Sequence, residues 1–213
     1  MIAATALPEM KAPLSVRQAP FVQKKTEQTE PKRISWEEFE RRYLSREDKF
    51  KYEWVDGLVE KTERTMNQYQ THIATNLVRF FFELFTQKKV TGRLSEETDT
   101  FFLPKAHRRP DLAWFSEEQL AKMAHGENQV PEFVIEVIST ADQINKVGKK
   151  LRNYRAADVK VVWLIFPDLE EIHVYRGVKS VIYAGDQMVS AAPALPAFSL
   201  KVNDVFKKPQ KPA

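Results

Sequence analysis

Apolar residues are sparse and follow no period over residues 1–33, where Pro, Gln, Lys, Glu and Thr dominate, so a flexible N-terminal tail is predicted there. The pattern changes at Ser35. Ser35 with Glu38 three residues on has the form of a capping box, and Phe39 and Tyr43 continue one face of a first, short helix. Residues 52–59 read as a β-hairpin, because Asp56-Gly57 sits between two β-prone segments. Over residues 67–87, Ile73, Leu77, Phe80, Phe81 and Leu84 recur at spacings of three and four, which predicts a long helix with one core face. Residues 92–103 read as a strand pair or one bent strand ended by Pro104. Residues 110–115 read as a strand, and Ser116-Glu117-Glu118-Gln119 as the cap of a short helix.

The second half carries the clearest pattern. In residues 132–138, the run after Glu132 is apolar on both faces apart from Glu136, as in a central strand. A helix is predicted from Ser139-Thr140-Ala141-Asp142 to about residue 156, and in residues 160–166 the run after Lys160 is again apolar on both faces. Strand, helix and strand in this order make a βαβ unit, expected to cross over right-handed. Two more strands follow at 171–175 and 180–183, and residues 207–213 form a polar, Pro-containing tail. The expected organisation is one domain over residues 34–206 between two tails, of mixed α/β class.

Composition adds limits. There is no cysteine, which excludes a disulfide framework and thiolate metal sites. No run approaches the roughly 18 apolar residues of a membrane span, and the N-terminus lacks the basic start and apolar core of a secretory signal, so a cytoplasmic protein is expected. A net charge of +4 permits a polyanionic partner without demanding one.

The candidate chemistry lies in charged residues set among apolar ones. Glu136 shares a strand face with Val134 and Ile138. It is either a buried carboxylate paired with Arg or Lys to fix the fold, or a metal ligand or catalytic group. Asp111 follows Pro110, a common turn position, yet it shares a face with Ala113 and Phe115. Beside a second carboxylate on a neighbouring strand it would make an oxygen-rich site, the kind a hard cation such as Mg²⁺ prefers. On the following helix Ile144, Val147, Leu151 and Tyr154 form the apolar stripe. Lys150 lies roughly 80° from the stripe's centre and Lys149 roughly opposite it, so Lys150 can bend towards the sheet while Lys149 faces solvent. Snorkelling at the core's edge is the plain alternative for Lys150.

Lys105, His107, Arg108 and Arg109 form a basic run before Asp111, and Lys146, Lys149, Arg152 and Arg155 form another on the helix. These are either solvated faces or a surface that tracks phosphates. His107 is either a ligand or base or an exposed loop residue, and the second is the expectation. His72, His125 and His173 make no HxxH or HExxH pattern, and no GxxxxGK[ST], GxGxxG or GxSxG occurs, which argues against zinc hydrolases, P-loops and nucleophile elbows.

Pro110-Asp111 followed by Glu136 in an apolar strand resembles the motif of the PD-(D/E)XK nuclease superfamily. More narrowly, the chain resembles the Uma family of restriction-endonuclease-like bacterial proteins. The matching stretches are YEWVDGLVE, RRPDLAWF, PEFVIEVIS, KLRNYRAADVKVVWLIFP, IHVYR and ALPAFSLKVNDVF, spread over residues 35–206. The resemblance implies the restriction endonuclease-like αβββαβ core with extra β-hairpins, and metal-dependent hydrolysis of DNA. It implies that Asp111, Glu136 and the backbone carbonyl of Val137 hold Mg²⁺ or Mn²⁺. Lys150 would replace the usual catalytic lysine, whose place two residues after the glutamate is taken by Ile138. Glu53, before the Asp-Gly turn, would complete the acidic cluster; an exposed hairpin residue is the other reading of it. Arg108, Arg109, Lys105 and Lys149 would contact DNA, and a homodimer would supply two sites for a duplex. The chain departs from the family pattern at Asp158, usually Gly, and at Phe166, usually Asp.

Overall fold

A computed structural model describes residues 32–63, 67–139 and 142–210. Helix α1 (Trp36–Phe39), widening into a π-type turn over Glu40–Leu44, precedes strands β1 (Phe50–Val55) and β2 (Leu58–Glu63). Then come α2 (Gln68–Thr86), β3 (Arg93–Glu96), β4 (Thr100–Leu103), β5 (Ala106–Arg108), β6 (Leu112–Phe115) and α3 (Glu117–Ala124). The second half runs β7 (Phe133–Val137), α4 (Ile144–Ala156), β8 (Val161–Phe166), β9 (Glu171–Arg176), β10 (Lys179–Ala184), β11 (Met188–Ala191), β12 (Leu195–Lys201) and α5 (Val202–Phe206).

The expected mixed α/β class is what forms. Six strands make the main sheet in the order β10-β9-β8-β7-β6-β3, in which β7 and β8 run parallel across the α4 crossover. A four-stranded sheet, β2-β1-β5-β4, carries the hairpin. Its turn has positive φ at both Asp56 (50°) and Gly57 (83°), the two-residue geometry that an Asp-Gly pair selects. The main sheet separates two cores. Leu112, Trp114, Phe133, Ile135 and Val137 pack with Ile73, Leu77, Phe81 and Leu84 of α2. The alternate residues Ala113, Phe115 and Val134 pack with Val147 and Tyr154 of α4. Because strand side chains alternate, Asp111 and Glu136 belong to the α4 side.

The long helix begins at Asn67, whose side chain makes a reciprocal capping box with Gln70. The predicted strand at 110–115 is shorter, starting at Leu112. Residues 92–103 hold two strands that belong to different sheets, so they are neither a pair nor one bent strand. Helix α4 starts at Ile144 rather than near 139; Thr140 and Ala141 of that expectation lie outside the described residues. Asp142 instead accepts from both the backbone N–H (2.7 Å) and the hydroxyl (2.9 Å) of Ser139, a local bond that competes with helix. Ile144, expected on the apolar stripe, is 78% exposed. Asp158, in the position where Gly was expected, has φ of 60°. It ends α4 with Val159 N–H donating to Tyr154 C=O (3.0 Å) and Asp158 N–H to Arg155 C=O (3.1 Å), a Schellman closure. Strands β5, β11 and β12 and helix α5 were not legible in the hydrophobic pattern. No helix among the described residues is long and apolar enough to cross a membrane.

Candidate active site

Asp111, Glu136, Lys150 and Glu53 line one cavity of about 530 Å³ beside α4. Asp111 sits just before β6, where its Oδ2 accepts the backbone N–H of Val137 (2.8 Å). That bond ties its carboxylate to the strand carrying Glu136. Glu136 is 4% exposed. The Lys150 ammonium donates to its two oxygens at 3.1 and 3.0 Å, and the Tyr154 hydroxyl donates to Oε1. Lys150 and Tyr154 are four residues apart, so one helical face delivers both. Lys150 therefore reaches inward, as its angle on the helix indicates, while Lys149 is exposed.

Glu53 is 1% exposed, which removes the reading of it as an exposed hairpin residue. In the β1–β2 register it stands directly opposite Glu60, a like-charge pairing that is unfavourable alone. Arg108 resolves it. Its Nη1 donates to Glu53 (3.0 Å) and to Glu60 (2.5 Å), and its other nitrogens donate to Asn153 of α4 (3.1 and 2.8 Å). Glu53 also accepts the backbone N–H of Arg109 (2.9 Å) and lies 3.6 Å from Lys150. Lys51 escaped the sequence reading. It is 6% exposed and donates to Asp111 Oδ1 at 2.7 Å. The signal for it was available: Lys51 and Glu53 are two apart on one strand and so share a face.

These neighbours set the charges. Burial would raise the Glu53 carboxyl, but Lys150, Arg108, Lys51 and the Arg109 N–H outweigh it and bring it down to about 2. For Glu136 burial wins, with Asp111 and Glu53 adding to it against Lys150 and Lys51, so its carboxyl lies above the ordinary range. Burial would lower the Lys150 ammonium, yet Glu136 and Glu53 hold it raised, so it stays charged. Burial, then Glu136 and Glu53, push the Tyr154 hydroxyl well up, and it remains a donor.

The basic run before Asp111 is not one exposed face. Lys105 is exposed and Arg109 is half-buried, paired with Asp99 at 3.0 Å. Arg108 has no exposed surface and His107 is 2% exposed, packed against Trp36, Phe39 and Phe101. The expectations of a DNA-facing Arg108 and a loop His107 are thus corrected. Both lie on β5, an inner strand of the four-stranded sheet, covered on one side by aromatic rings and on the other by α4.

A divalent cation fits this donor set in one way. Among the described residues no three His, Asp or Glu side chains are arranged to hold an ion by themselves. Mg²⁺ does not need them, since it is held by one or two carboxylates and keeps waters or phosphate oxygens in the rest of its shell. Asp111 and Glu136 both open on the cavity, which Val137 also lines. Each carboxylate oxygen has about two acceptor sites, so its present partners leave capacity. The charge count agrees. The buried cluster has four carboxylates (Glu53, Glu60, Asp111, Glu136) against three cations (Lys51, Arg108, Lys150), leaving one net negative charge.

No curated protein matches the chain significantly. Among solved structures, a protein of Anabaena variabilis described as a putative nuclease of the DUF820 group has a similar fold. It is 20% identical, with a TM-score of 0.62 over 73% of this chain and 89% of that one. The sequence itself matches the family described as Uma2, putative restriction endonuclease, over residues 36–203. A match over that much of the domain, on a fold that places the motif residues together, means that the chain belongs to the Uma2 family.

Proposed function

We propose that the protein is a metal-dependent endonuclease that hydrolyses phosphodiester bonds of DNA, with the cavity between Asp111, Glu136 and Lys150 as its active site. The observation that carries this reading is the pair of buried carboxylates, one just before β6 and one on the neighbouring β7, joined through Val137 N–H and opening on a cavity with a charged lysine. Asp111, Glu136 and the Val137 carbonyl would hold Mg²⁺ or Mn²⁺. Bound there, the cation would supply charge to polarise the scissile phosphate and lower the pKa of a water. It would also reverse the sign of a cluster that by itself repels a phosphodiester.

The chain's own groups have separate roles in this reading. Tyr154 and Lys150 fix the Glu136 carboxylate, and Val137 N–H fixes Asp111, so the oxygens are oriented before substrate arrives. Lys150 orients the attacking water or neutralises charge growing on the phosphate. Glu53, 3.6 Å from the Lys150 ammonium, adds a second negative charge beside it. Lys105, Lys149 and Arg109 would meet the DNA backbone. Cutting both strands requires two such sites, which a homodimer would supply.

A second reading, a non-catalytic module binding nucleic acid or protein, draws on the observation that every carboxylate of the cluster already has a cationic partner. Incubating supercoiled plasmid with Mg²⁺, with Mn²⁺ or with chelator separates the two. The nuclease reading expects nicking in metal that is lost in chelator and in Asp111→Ala and Glu136→Gln. DNA binding without cleavage in either metal supports the module, and cleavage that survives both substitutions removes the site.

A further inference from the structure

Lys51 and Lys150 stand in matching positions, each ammonium against one of the two carboxylates proposed to hold the cation. For Asp111 the match is restrictive. Its Oδ2 accepts the backbone N–H of Val137, which is fixed by the strand, and its Oδ1 accepts Lys51 Nζ at 2.7 Å, the one partner of Asp111 here that sits on a flexible stem. Both side chains are almost enclosed, 7% exposed for Lys51 and 11% for Asp111. Lys51 also lines the cavity where a phosphodiester would lie. A lysine is a compact charge on a flexible stem with three donors, and it can change acceptors without moving the backbone.

Resting on the reading of Asp111 as a metal ligand, we propose that Lys51 is a second phosphate-contacting lysine, which holds Asp111 Oδ1 in the free protein and moves to a phosphate oxygen when DNA enters. The transfer takes the ammonium charge away from Oδ1, where a cation would bind. Cation and DNA then bind cooperatively, because each favours the arrangement the other needs. By linkage the coupling is reciprocal: DNA strengthens cation binding by the factor with which the cation strengthens DNA binding. The arrangement partly neutralises the cavity at rest and favours cation loading in the complex with substrate. Beside Asp111 the ammonium is charged, since burial is outweighed by Asp111, Glu136 and Glu53.

The test is calorimetric titration of the full chain with Ca²⁺, with and without a short DNA duplex, so that binding is read apart from cleavage. For the wild type the duplex is expected to tighten Ca²⁺ binding about tenfold or more, in the usual range of coupling between sites. Lys51→Met is expected to bind Ca²⁺ about tenfold more tightly without DNA, and the effect of DNA on that binding should shrink to the part carried by the phosphate's own attraction for the cation. A lysine that merely neutralised Asp111 would account for the first change but not the second. Lys51→Arg, whose fork grips a carboxylate more firmly, should bind Ca²⁺ more weakly than wild type without DNA, so the two variants move in opposite directions. Wild-type affinity and wild-type coupling in Lys51→Met, or both variants shifting alike, overturns the role of Lys51 while the metal site stands. Asp111→Asn that binds Ca²⁺ like wild type, or a wild type that takes up none even with DNA, overturns the metal site and the Lys51 role together.

Discussion

Replacing Arg108 with Ala should unfold the site rather than weaken a DNA contact. Arg108 has no exposed surface and bridges Glu53 and Glu60, which face each other across the hairpin, while its other nitrogens fasten Asn153 of α4. Truncation leaves two carboxylates opposed with no bridging cation. Breaking a buried ion pair from one side costs about 3–5 kcal/mol. Glu53 keeps Lys150 at 3.6 Å and the Arg109 N–H, which holds the expected loss towards the lower end. For a domain of this size that corresponds to a fall in Tm of about 6–12 °C, at about 2–4 °C per kcal/mol. Arg108→Lys keeps a charge but loses the fork that spans Glu53, Glu60 and Asn153 together, and should fall about half as far. In Arg108→Ala/Glu60→Gln the opposed charge is gone, so part of the loss should return, with a coupling of about 1–3 kcal/mol. Thermal melts by circular dichroism measure all three, and DNA binding at a temperature where each variant is folded supplies the control. A variant Arg108→Ala that melts within about 2 °C of wild type yet loses DNA affinity would refute the reasoning and return Arg108 to the DNA surface.

Other consequences follow from the same cluster. The Glu53 carboxyl, lowered from 4.5 to about 2, contributes stability that is complete above its unfolded value and is lost as pH falls through that window. Glu53→Gln should remove this part of the acid limb, about 3 kcal/mol, in urea melts taken across it. Tyr154→Phe deletes the donor to buried Glu136 Oε1 and should lose about 1–2 kcal/mol in the same melts. An unchanged melt would mean that the hydroxyl does not hold Glu136. Lys105→Ala and Lys149→Ala should leave the melt within about 0.5 kcal/mol and each lower the slope of log affinity against log salt by about one. Unchanged slopes would place the DNA elsewhere.

Some of this was legible in the chain, and the reasons differ from residue to residue. Glu136 stands out because a carboxylate inside a continuous apolar strand has few uses. The angle of Lys150 on its helix separates it from Lys149 because helical geometry is regular. Asp111 is ordinary in sequence and gains meaning only from its neighbour strand. Arg108 and His107 misled, because a basic run looks exposed unless its partners are known. Those partners, Glu53, Glu60 and Asn153, come from elements 45 or more residues away. The three residues of β5 are too few to show a period, although their sheet position buries side chains on both faces. Lys51 was within reach once Glu53 was taken to face inward, since strand alternation puts both on one side. The C-terminal pair β11 and β12 with α5 shows no clean alternation: β12 carries Pro196 as its second residue, and the pairing register shifts between Ser190 and Ala191.

The most direct test of the central claim is a crystal structure of the protein with Mn²⁺ and a DNA duplex, with anomalous scattering locating the metal. The account expects a peak in the cavity with oxygens of Asp111 and Glu136 about 2.0–2.2 Å away and Lys51 turned from Asp111 to a phosphate oxygen. A duplex bound with no peak beside Asp111 and Glu136, and both carboxylates still closed by Lys51 and Lys150, would contradict it.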